Sequence, residues 1–304
     1  MVKLRFEEPK ECIFSNIYTM TQQLSLFEKL EFSTTRIMAF DDAGCKQYGT
    51  GFFYDILVDK GTIPVVLTNK HVLHGMPHAQ INFSRADESG NPIYGEPYKF
   101  RFDINSGLVF YHPDSSVDLC AIAFQPLLRQ MEGADLKLFH QHFDKSLIPT
   151  VAQLKELDSV EDIIMIGYPN ALWDEVNNIP LVRKGITATP AWLDFNGKKE
   201  FVIDAACFPG SSGSPVLICN IGNVKDKFGG IQFGINRIYL LGLLYGGPQQ
   251  TIEGEICVKT VPDATQTPYA LSSIPNNLGY VIKSERILEL SEYILTLKSA
   301  TYRV

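Results

Sequence analysis

Long apolar runs are absent from this sequence, although hydrophobic residues make up 45% of its 304 residues. A membrane-spanning helix needs about 18 or more consecutive apolar residues, and no segment reaches that length. The first residues, Met1 to Lys10, include charges where a secretory signal needs a continuous apolar stretch. We therefore expect a soluble, cytoplasmic protein with no membrane partner.

Clusters of basic residues are also absent. Lysine and arginine are scattered along the chain, and the formal net charge is −7. Proteins that bind nucleic acids usually present a concentrated basic patch. We therefore expect no nucleic-acid partner.

Cysteine is sparse, and no Cys-x-x-Cys pair of the kind that binds zinc is present. The spacing of His71, His74 and His78 could place nitrogen ligands on one helical face, but no carboxylate or cysteine ligand accompanies them. We expect no metal or other cofactor, and free thiols in a reducing compartment. The cysteines are Cys12, Cys45, Cys120, Cys207, Cys219 and Cys257.

From Thr34 onward, short β-branched and aromatic runs alternate with Gly, Asn, Asp and Pro. Many short strands at such spacing favour an all-β barrel or sandwich over a parallel α/β sheet. The predicted strands are Arg36–Phe40, Thr50–Val58, Pro64–Leu67, Leu119–Phe124, Asp162–Ile166, Phe201–Ile203, Pro215–Ile218, Ile238–Leu244 and Leu278–Ile282.

Helical periodicity is found near both ends of the chain. Residues 16–31 place apolar side chains on one face behind Ser15, which can serve as the N-cap. Ser284 can cap a second helix, in which Ile287, Leu290, Ile294 and Leu297 share a face.

Three long stretches interrupt the strand pattern at residues 125–160, 220–236 and 248–277. The first contains helical patches at Leu127–Leu138 and Val151–Leu157. Loops of this length are uncommon without a function. The first and third could hold an active-site loop in either of two arrangements, so a regulatory protein partner is considered, although plain surface decoration explains them equally well.

The strongest chemical signal is the segment Phe208–Pro215, which reads Phe-Pro-Gly-Ser-Ser-Gly-Ser-Pro. Glycines around a serine let the backbone turn sharply and present a hydroxyl together with free N–H groups. The N–H groups of Gly210 and Ser212 could stabilise an oxyanion. Taken alone, however, the same composition is also that of an ordinary flexible loop.

Two further residues supply what a serine nucleophile needs. His71 directly follows an apolar run and can act as the general base, and Asp118 stands at the start of another apolar run, where a carboxylate can orient the imidazole. Each residue alone is as readily structural. The order His71, Asp118, Ser212 argues for a catalytic triad.

Several blocks around these residues resemble, in order, motifs of the trypsin-like, chymotrypsin-fold serine peptidases, nearest the bacterial HtrA/Deg branch. Among them, Thr68–Val72 resembles that family's Thr-Asn-x-His-Val and Asp118–Ala121 its Asp-Leu-Ala-Val. The blocks are Gly49–Phe52, Thr68–Val72, Asp118–Ala121, Ile166–Pro169, Lys184–Thr187, Ile203–Pro215 and Gly279–Ile282.

The resemblance implies an all-β fold with two six-stranded antiparallel β-barrels of chymotrypsin type and with N- and C-terminal helices. It divides the chain into a helical extension at 1–33, a peptidase domain at 34–290, and a helix and tail at 284–304. His71 and Asp118 would come from the first barrel and Ser212, rather than Ser211 or Ser214, from the second.

The resemblance also implies a specificity pocket without an acidic residue. A substrate lysine or arginine would leave an unpaired charge there, so we expect small or medium apolar P1 residues. Arg183 and Lys184 are interpreted as strand-surface or core positions rather than binding groups. The pocket floor would be Ala206, with walls near Cys207, Leu244, Tyr245, Gly246, Gly247 and Gly279–Val281.

Some features depart from the family pattern. The sequence has no Ile-Val-Gly-Gly-like start of the trypsin zymogen type, no PDZ domain follows residue 290, and Ser214 replaces a glycine. The expected function is a serine endopeptidase that acts on a protein or peptide substrate. The alternative is a catalytically idle barrel that serves as a binding or scaffold module. An esterase of the α/β-hydrolase type is disfavoured, because those enzymes order their triad Ser, Asp, His.

Overall fold

β-Strands are the main element of the computed structural model, which describes residues 24–134, 136–255 and 269–301. Every strand predicted from the sequence contains or overlaps an observed one. The strands of the first half are β1 (Thr34–Phe40), β2 (Lys46–Val58), β3 (Gly61–Thr68), β4 (His78–Ala86), β5 (Pro92–Asp103), β6 (Val109–Tyr111), β7 (Cys120–Ala123), β8 (Lys137–Phe139) and β9 (Phe143–Asp144).

The second half is built around a closed barrel of six strands in the order β10-β11-β12-β19-β16-β13. Two segments expected to be loops, 220–236 and 248–277, contain the hairpins β14–β15 and β17–β18. The strands of this half are β10 (Asp162–Gly167), β11 (Leu181–Thr187), β12 (Glu200–Asp204), β13 (Pro215–Asn220), β14 (Asn223–Lys225), β15 (Ile231–Phe233), β16 (Arg237–Gly246), β17 (Gln249–Glu255), β18 (Tyr269–Pro275) and β19 (Leu278–Lys283).

The two halves share a strand order. The first half runs β5-β4-β1-β2-β3-β7-β6, so that β4-β1-β2-β3-β7 corresponds to β13-β10-β11-β12-β19 of the barrel. The first sheet has nine strands rather than the six expected, because residues 109–111 add β6 and the long 125–160 segment adds β8 on β4 and β9 on β2. Within the described residues, no ladder joins β5 to β6 or β7. The all-β fold of chymotrypsin type is confirmed, with one closed six-stranded barrel among the described residues.

Four helices surround the strands of the described residues. The helix expected at 16–31 is described only from residue 24, and Ser15 lies outside the described residues. Its observed N-cap is Ser25, which forms a capping box with Glu28. The helical patches of the 125–160 segment are shorter than expected because β8 replaces the end of the first. The helices are α1 (Leu26–Glu31), α2 (Gln125–Gly133), α3 (Val151–Glu156) and α4 (Glu285–Thr301).

A shared apolar core joins the two halves. Strand β3 is buried along its whole length, because Val65 and Leu67 face this shared core while Val66 faces the interior of the first sheet. The second barrel contributes residues such as Leu217 and Leu243 to the same core. Helix α4 adds Ile287, Leu290 and Ile294. The helix therefore packs where the halves meet.

The buried face of α4 is shorter than the sequence predicted. Ile287, Leu290 and Ile294 are at most 1% exposed, but Leu297 is 40% exposed. None of the helices in the described ranges is long and apolar enough to cross a bilayer.

We predict that Leu290→Ala lowers the free energy of unfolding by about 2–5 kcal/mol, because it leaves a cavity in the shared core. Leu297→Ala is the matched control, since the same atoms are removed from a site that is 40% exposed and lies outside the shared core, so the loss should be clearly the smaller of the two. Urea unfolding of the three proteins measures both values. Equal losses in the two variants would contradict the placement of α4.

Candidate active site

His71 lies on a short 3₁₀ turn, Lys70–Val72, directly after β3. Val72, on the same turn, packs against Gly49 so closely that a Cβ on that glycine would lie 2.5 Å from its Cγ1. The turn therefore packs directly against β2. The imidazole points outward and is 47% exposed.

Asp118 binds the His71 turn at two points. Its Oδ2 lies 2.5 Å from His71 Nδ1, and its Oδ1 accepts the backbone N–H of His71 at 3.0 Å. The side chain of Asn69 donates to the carbonyl of Asp118 at 2.7 Å, which holds the two loops together. The tautomer with the proton on Nδ1 satisfies this bond and leaves Nε2 as the acceptor.

The charge of Asp118 is stabilised by its partner. Burial raises the pKa of the carboxyl, but the hydrogen bonds and charge of His71 outweigh it and leave the pKa below its ordinary value. Asp118 is therefore ionised near neutral pH. A carboxylate in this position stabilises an imidazolium if His71 takes up a proton.

Ser212 lies between two glycines in the left-handed region, Gly210 and Gly213, both with φ of 87°. At Gly213 a Cβ would lie 1.9 Å from the carbonyl oxygen of Thr50, so this residue must be glycine. Ser212 is half-buried. Its hydroxyl makes no hydrogen bond to any of the described residues, His71 included.

Two backbone N–H groups near Ser212 are open. Ser211, Gly213 and Ser214 donate theirs to backbone carbonyls. By contrast, the N–H groups of Gly210 and Ser212 have no partner among the described residues. The carbonyl of Pro209 accepts the N–H of Asn170 at 2.5 Å, and the C=O and N–H of a trans peptide point in opposite directions. The N–H of Gly210 therefore points away from Asn170.

Thr50 joins the histidine side of the site to the serine side, a role that sequence reasoning missed. It is fully buried and uses every polar atom. Its N–H donates to the carbonyl of Ser212 at 2.8 Å, and its carbonyl accepts from Thr68 Oγ1 at 2.7 Å. Its hydroxyl donates to the carbonyl of Gly210 at 2.9 Å and accepts the N–H of Tyr168 at 3.1 Å.

A signal for Thr50 was present in the sequence. It stands between Gly49 and Gly51, and at each glycine a Cβ would lie 2.5 Å from a valine side chain. Glycine within a strand marks a place where another part of the chain approaches closely, and here the two valine side chains do so.

The predicted pocket residues lie in one region but in different environments. Cys207 and Leu244 belong to the apolar core of the second barrel. Ala206 is half-buried, and its carbonyl accepts a hydrogen bond from Arg183. Tyr245 and Gly246 are half-buried, and Gly247 is exposed and lies so close to Leu278 that a Cβ would meet its carbonyl oxygen at 2.3 Å.

An acid lies beside the expected pocket wall. The hydroxyl of Tyr245 donates to Glu200 Oε2 at 2.8 Å. Burial and this hydrogen bond raise the pKa of Tyr245 above its ordinary range. The tyrosine therefore stays neutral, and its hydroxyl is hydrogen-bonded to one oxygen of the Glu200 carboxylate.

Arg183 lies on strand β11, as its interpretation as a strand position implies, but its side chain also makes contacts that the sequence did not indicate. It is half-buried and donates to both Ala206 and Ser211. The strand pattern could not reveal this, because the guanidinium bonds residues more than twenty positions away. Lys184 is a surface residue as expected, paired with Asp162 at 2.8 Å.

No metal site is found within the described ranges. No group of three or more His, Cys, Asp and Glu side chains there is arranged to hold an ion. His78 is one of the three closely spaced histidines, and its Nε2 instead lies 3.4 Å from Oδ1 of Asp42.

The family model that matches the sequence is the trypsin-like peptidase domain, over residues 49–224. This match spans more than half of the chain and includes His71, Asp118 and Ser212. The chain belongs to the trypsin-like peptidase domain family. No curated protein matches this family member in sequence.

Solved structures similar to this family member are proteases. The Rv3671c protease of M. tuberculosis in its active form has a TM-score of 0.42 and 15% identity, covering 94% of this chain and 87% of that one. An inactive mutant form of the M. tuberculosis H37Rv protein has a TM-score of 0.40 and 16% identity, covering 99% and 100%. Tobacco vein mottling virus protease has a TM-score of 0.39 and 13% identity, covering 88% and 83%.

We predict that Thr50→Val lowers the free energy of unfolding by about 1–3 kcal/mol, because it leaves the buried carbonyl of Gly210 and N–H of Tyr168 without their partner. Ser214→Ala is the control. The hydroxyl of Ser214 is buried with no partner among the described residues, so its removal should be neutral or stabilising. Thermal and urea unfolding measure both, and a harmless Thr50→Val would show that Thr50 does not connect the loops.

Proposed function

We propose that this protein is a serine endopeptidase, nearest the bacterial HtrA/Deg branch, with His71, Asp118 and Ser212 as its triad. The observation that carries the proposal is the arrangement of three features around Thr50. They are an imidazole bonded to an ionised carboxylate, a serine on a glycine turn, and two open N–H groups beside that serine. This is the set of groups that acyl transfer requires.

The chemistry follows from these groups. Nε2 of His71 takes the proton of Ser212 as the hydroxyl oxygen attacks the scissile carbonyl, and the N–H groups of Gly210 and Ser212 bind the resulting oxyanion. His71 then protonates the leaving amine. Water hydrolyses the acyl-enzyme by the same route, with His71 again as the base. Asp118 holds the imidazole and stabilises its charged form.

Serine fits the role of nucleophile better than the cysteine nearby in sequence. Burial raises the pKa of the Cys207 thiol to about 11, so it remains a thiol at neutral pH. A cysteine nucleophile needs its thiolate form. Cys207 is also packed into the barrel core, away from solvent.

The idle-barrel alternative is favoured by one observation, namely that Ser212 Oγ makes no hydrogen bond to His71. Catalytic hydrogen bonds are often long or misaligned without substrate and tighten when it binds. A fluorophosphonate probe separates the two hypotheses, because it labels only a serine that an adjacent base activates.

We predict that Ser212→Ala lowers kcat on a peptide substrate by about 10⁶-fold, as removal of a triad nucleophile does elsewhere, and abolishes fluorophosphonate labelling. Ser214→Ala is the matched control, two residues along the same turn, and should keep both labelling and activity. Hydrolysis assays and mass spectrometry of the labelled protein measure the outcome. A wild-type protein that neither hydrolyses casein nor takes the label would leave the idle-barrel alternative standing.

We predict that cleavage follows small or medium apolar residues such as Ala, Val, Leu and Met. The expected pocket offers apolar surface from Ala206 and its neighbours, Tyr245 donates a hydrogen bond to the Glu200 carboxylate beside it, and the cationic Arg183 donates to the carbonyl of Ala206. A basic P1 residue would meet a like charge without a partner. Cleavage-site profiling of a digested proteome, with the Ser212→Ala protein as control, tests this. A profile dominated by Lys and Arg would contradict it.

A further inference from the structure

Arg183 starts on the core side of the second barrel. In the ladder between β10 and β11 it is paired with Met165, and paired residues of an antiparallel ladder project to the same face. Met165 is fully buried in the barrel core. The side chain therefore starts on the core face of β11, and its guanidinium reaches the segment that leads to Ser212.

Both terminal nitrogens of Arg183 bond this one segment. Nη1 donates to the carbonyl of Ala206, and Nη2 donates to Ser211 Oγ at 2.7 Å. The two acceptors are the first and last residues of Ala206–Ser211, the oxyanion loop. Because a guanidinium is planar and rigid, the two bonds connect the two ends of the loop through one group.

This position is costly for a cation. Within the described part of the chain, Arg183 forms no ion pair with a carboxylate, and its Nε is buried without a partner. Burial lowers the pKa of Arg183 from its ordinary value. A half-buried cation that lacks a counter-charge and leaves Nε unpaired contributes little to stability. Stability alone therefore does not account for an arginine here.

Among the described residues, three that are distant from the loop in sequence hold it by hydrogen bonds, and Arg183 is the one that bonds its two ends. Asn170 holds the carbonyl of Pro209, and Thr50 holds the carbonyl of Gly210. Ser211 is fully buried, and Arg183 is the partner of its hydroxyl among the described residues. Without Arg183 that hydroxyl would be buried and unpaired, which disfavours this conformation of the loop.

We propose that Arg183 is a positioning residue that holds the oxyanion loop in the conformation that presents the N–H groups of Gly210 and Ser212. Its catalytic consequence rests on the proposed peptidase function. Its structural consequence, the order of the loop, does not depend on that function.

The test compares Arg183→Ala with Lys184→Ala, the neighbouring exposed cation on the same strand. We expect Arg183→Ala to lower kcat on a peptide substrate about 100-fold or more, the effect of losing an oxyanion donor, with KM within a few-fold of wild type. The kcat of Arg183→Lys should lie between those of wild type and Arg183→Ala, since a lysine can keep one of the two bonds. Added ethylguanidinium should restore part of the activity of Arg183→Ala and none of that of Ser212→Ala. Lys184→Ala should behave as wild type.

A second readout does not need activity. Amide hydrogen exchange in residues 207–214 should be faster in Arg183→Ala than in wild type, while exchange in β3 stays unchanged. An unchanged kcat together with unchanged exchange would overturn the proposal. So would a rise in KM alone, or an acidic P1 preference that disappears in the variant, because Arg183 would then contact substrate. A wild type without hydrolysis would refute the peptidase proposal, and the exchange comparison would still decide the positioning role.

Discussion

The site depends on one buried threonine, all of whose hydrogen-bonding groups are paired. Thr50 belongs to β2 in the first half, yet three of its four hydrogen bonds go to Tyr168, Gly210 and Ser212 in the second half. A buried backbone or hydroxyl group without a partner costs about 1–3 kcal/mol. Sliding the halves apart at this point would leave several such groups unpaired together. The register between the His71 turn and the Ser212 turn is thereby defined by hydrogen bonds rather than by packing alone.

Apolar packing brings the halves together, and polar bonds align them. Strand β3 is apolar on both faces, so it can serve the interior of its own sheet and the shared core at once. Such packing is tolerant of small shifts, because apolar contacts have no direction. The bonds of Thr50, Asn69 and Arg183 are directional. Each of them connects a loop of the site to a residue on, or next to, a strand of a barrel.

The sequence allowed the strands and the three chemical residues to be predicted because each has a local signature. His71 and Asp118 border apolar runs, and Ser212 stands among glycines. Cys207 and Leu244, which are predicted to line a pocket, pack in the apolar core of the second barrel, and residue type alone could not show this packing. The hairpin β14–β15 was hidden by its glycine-rich composition. Arg183 could not be found, because its partners are distant in sequence.

The position of α4 in the chain has a consequence for synthesis of the protein. Ile287, Leu290 and Ile294 complete a core to which strands of both halves contribute, yet they leave the ribosome after all of those strands. A nascent chain that already carries His71, Asp118 and Ser212 still lacks this part of the interface. The apolar packing between the two halves is therefore complete only after α4 has been synthesised. The residues of the candidate site are thus synthesised before the helix that completes the shared core.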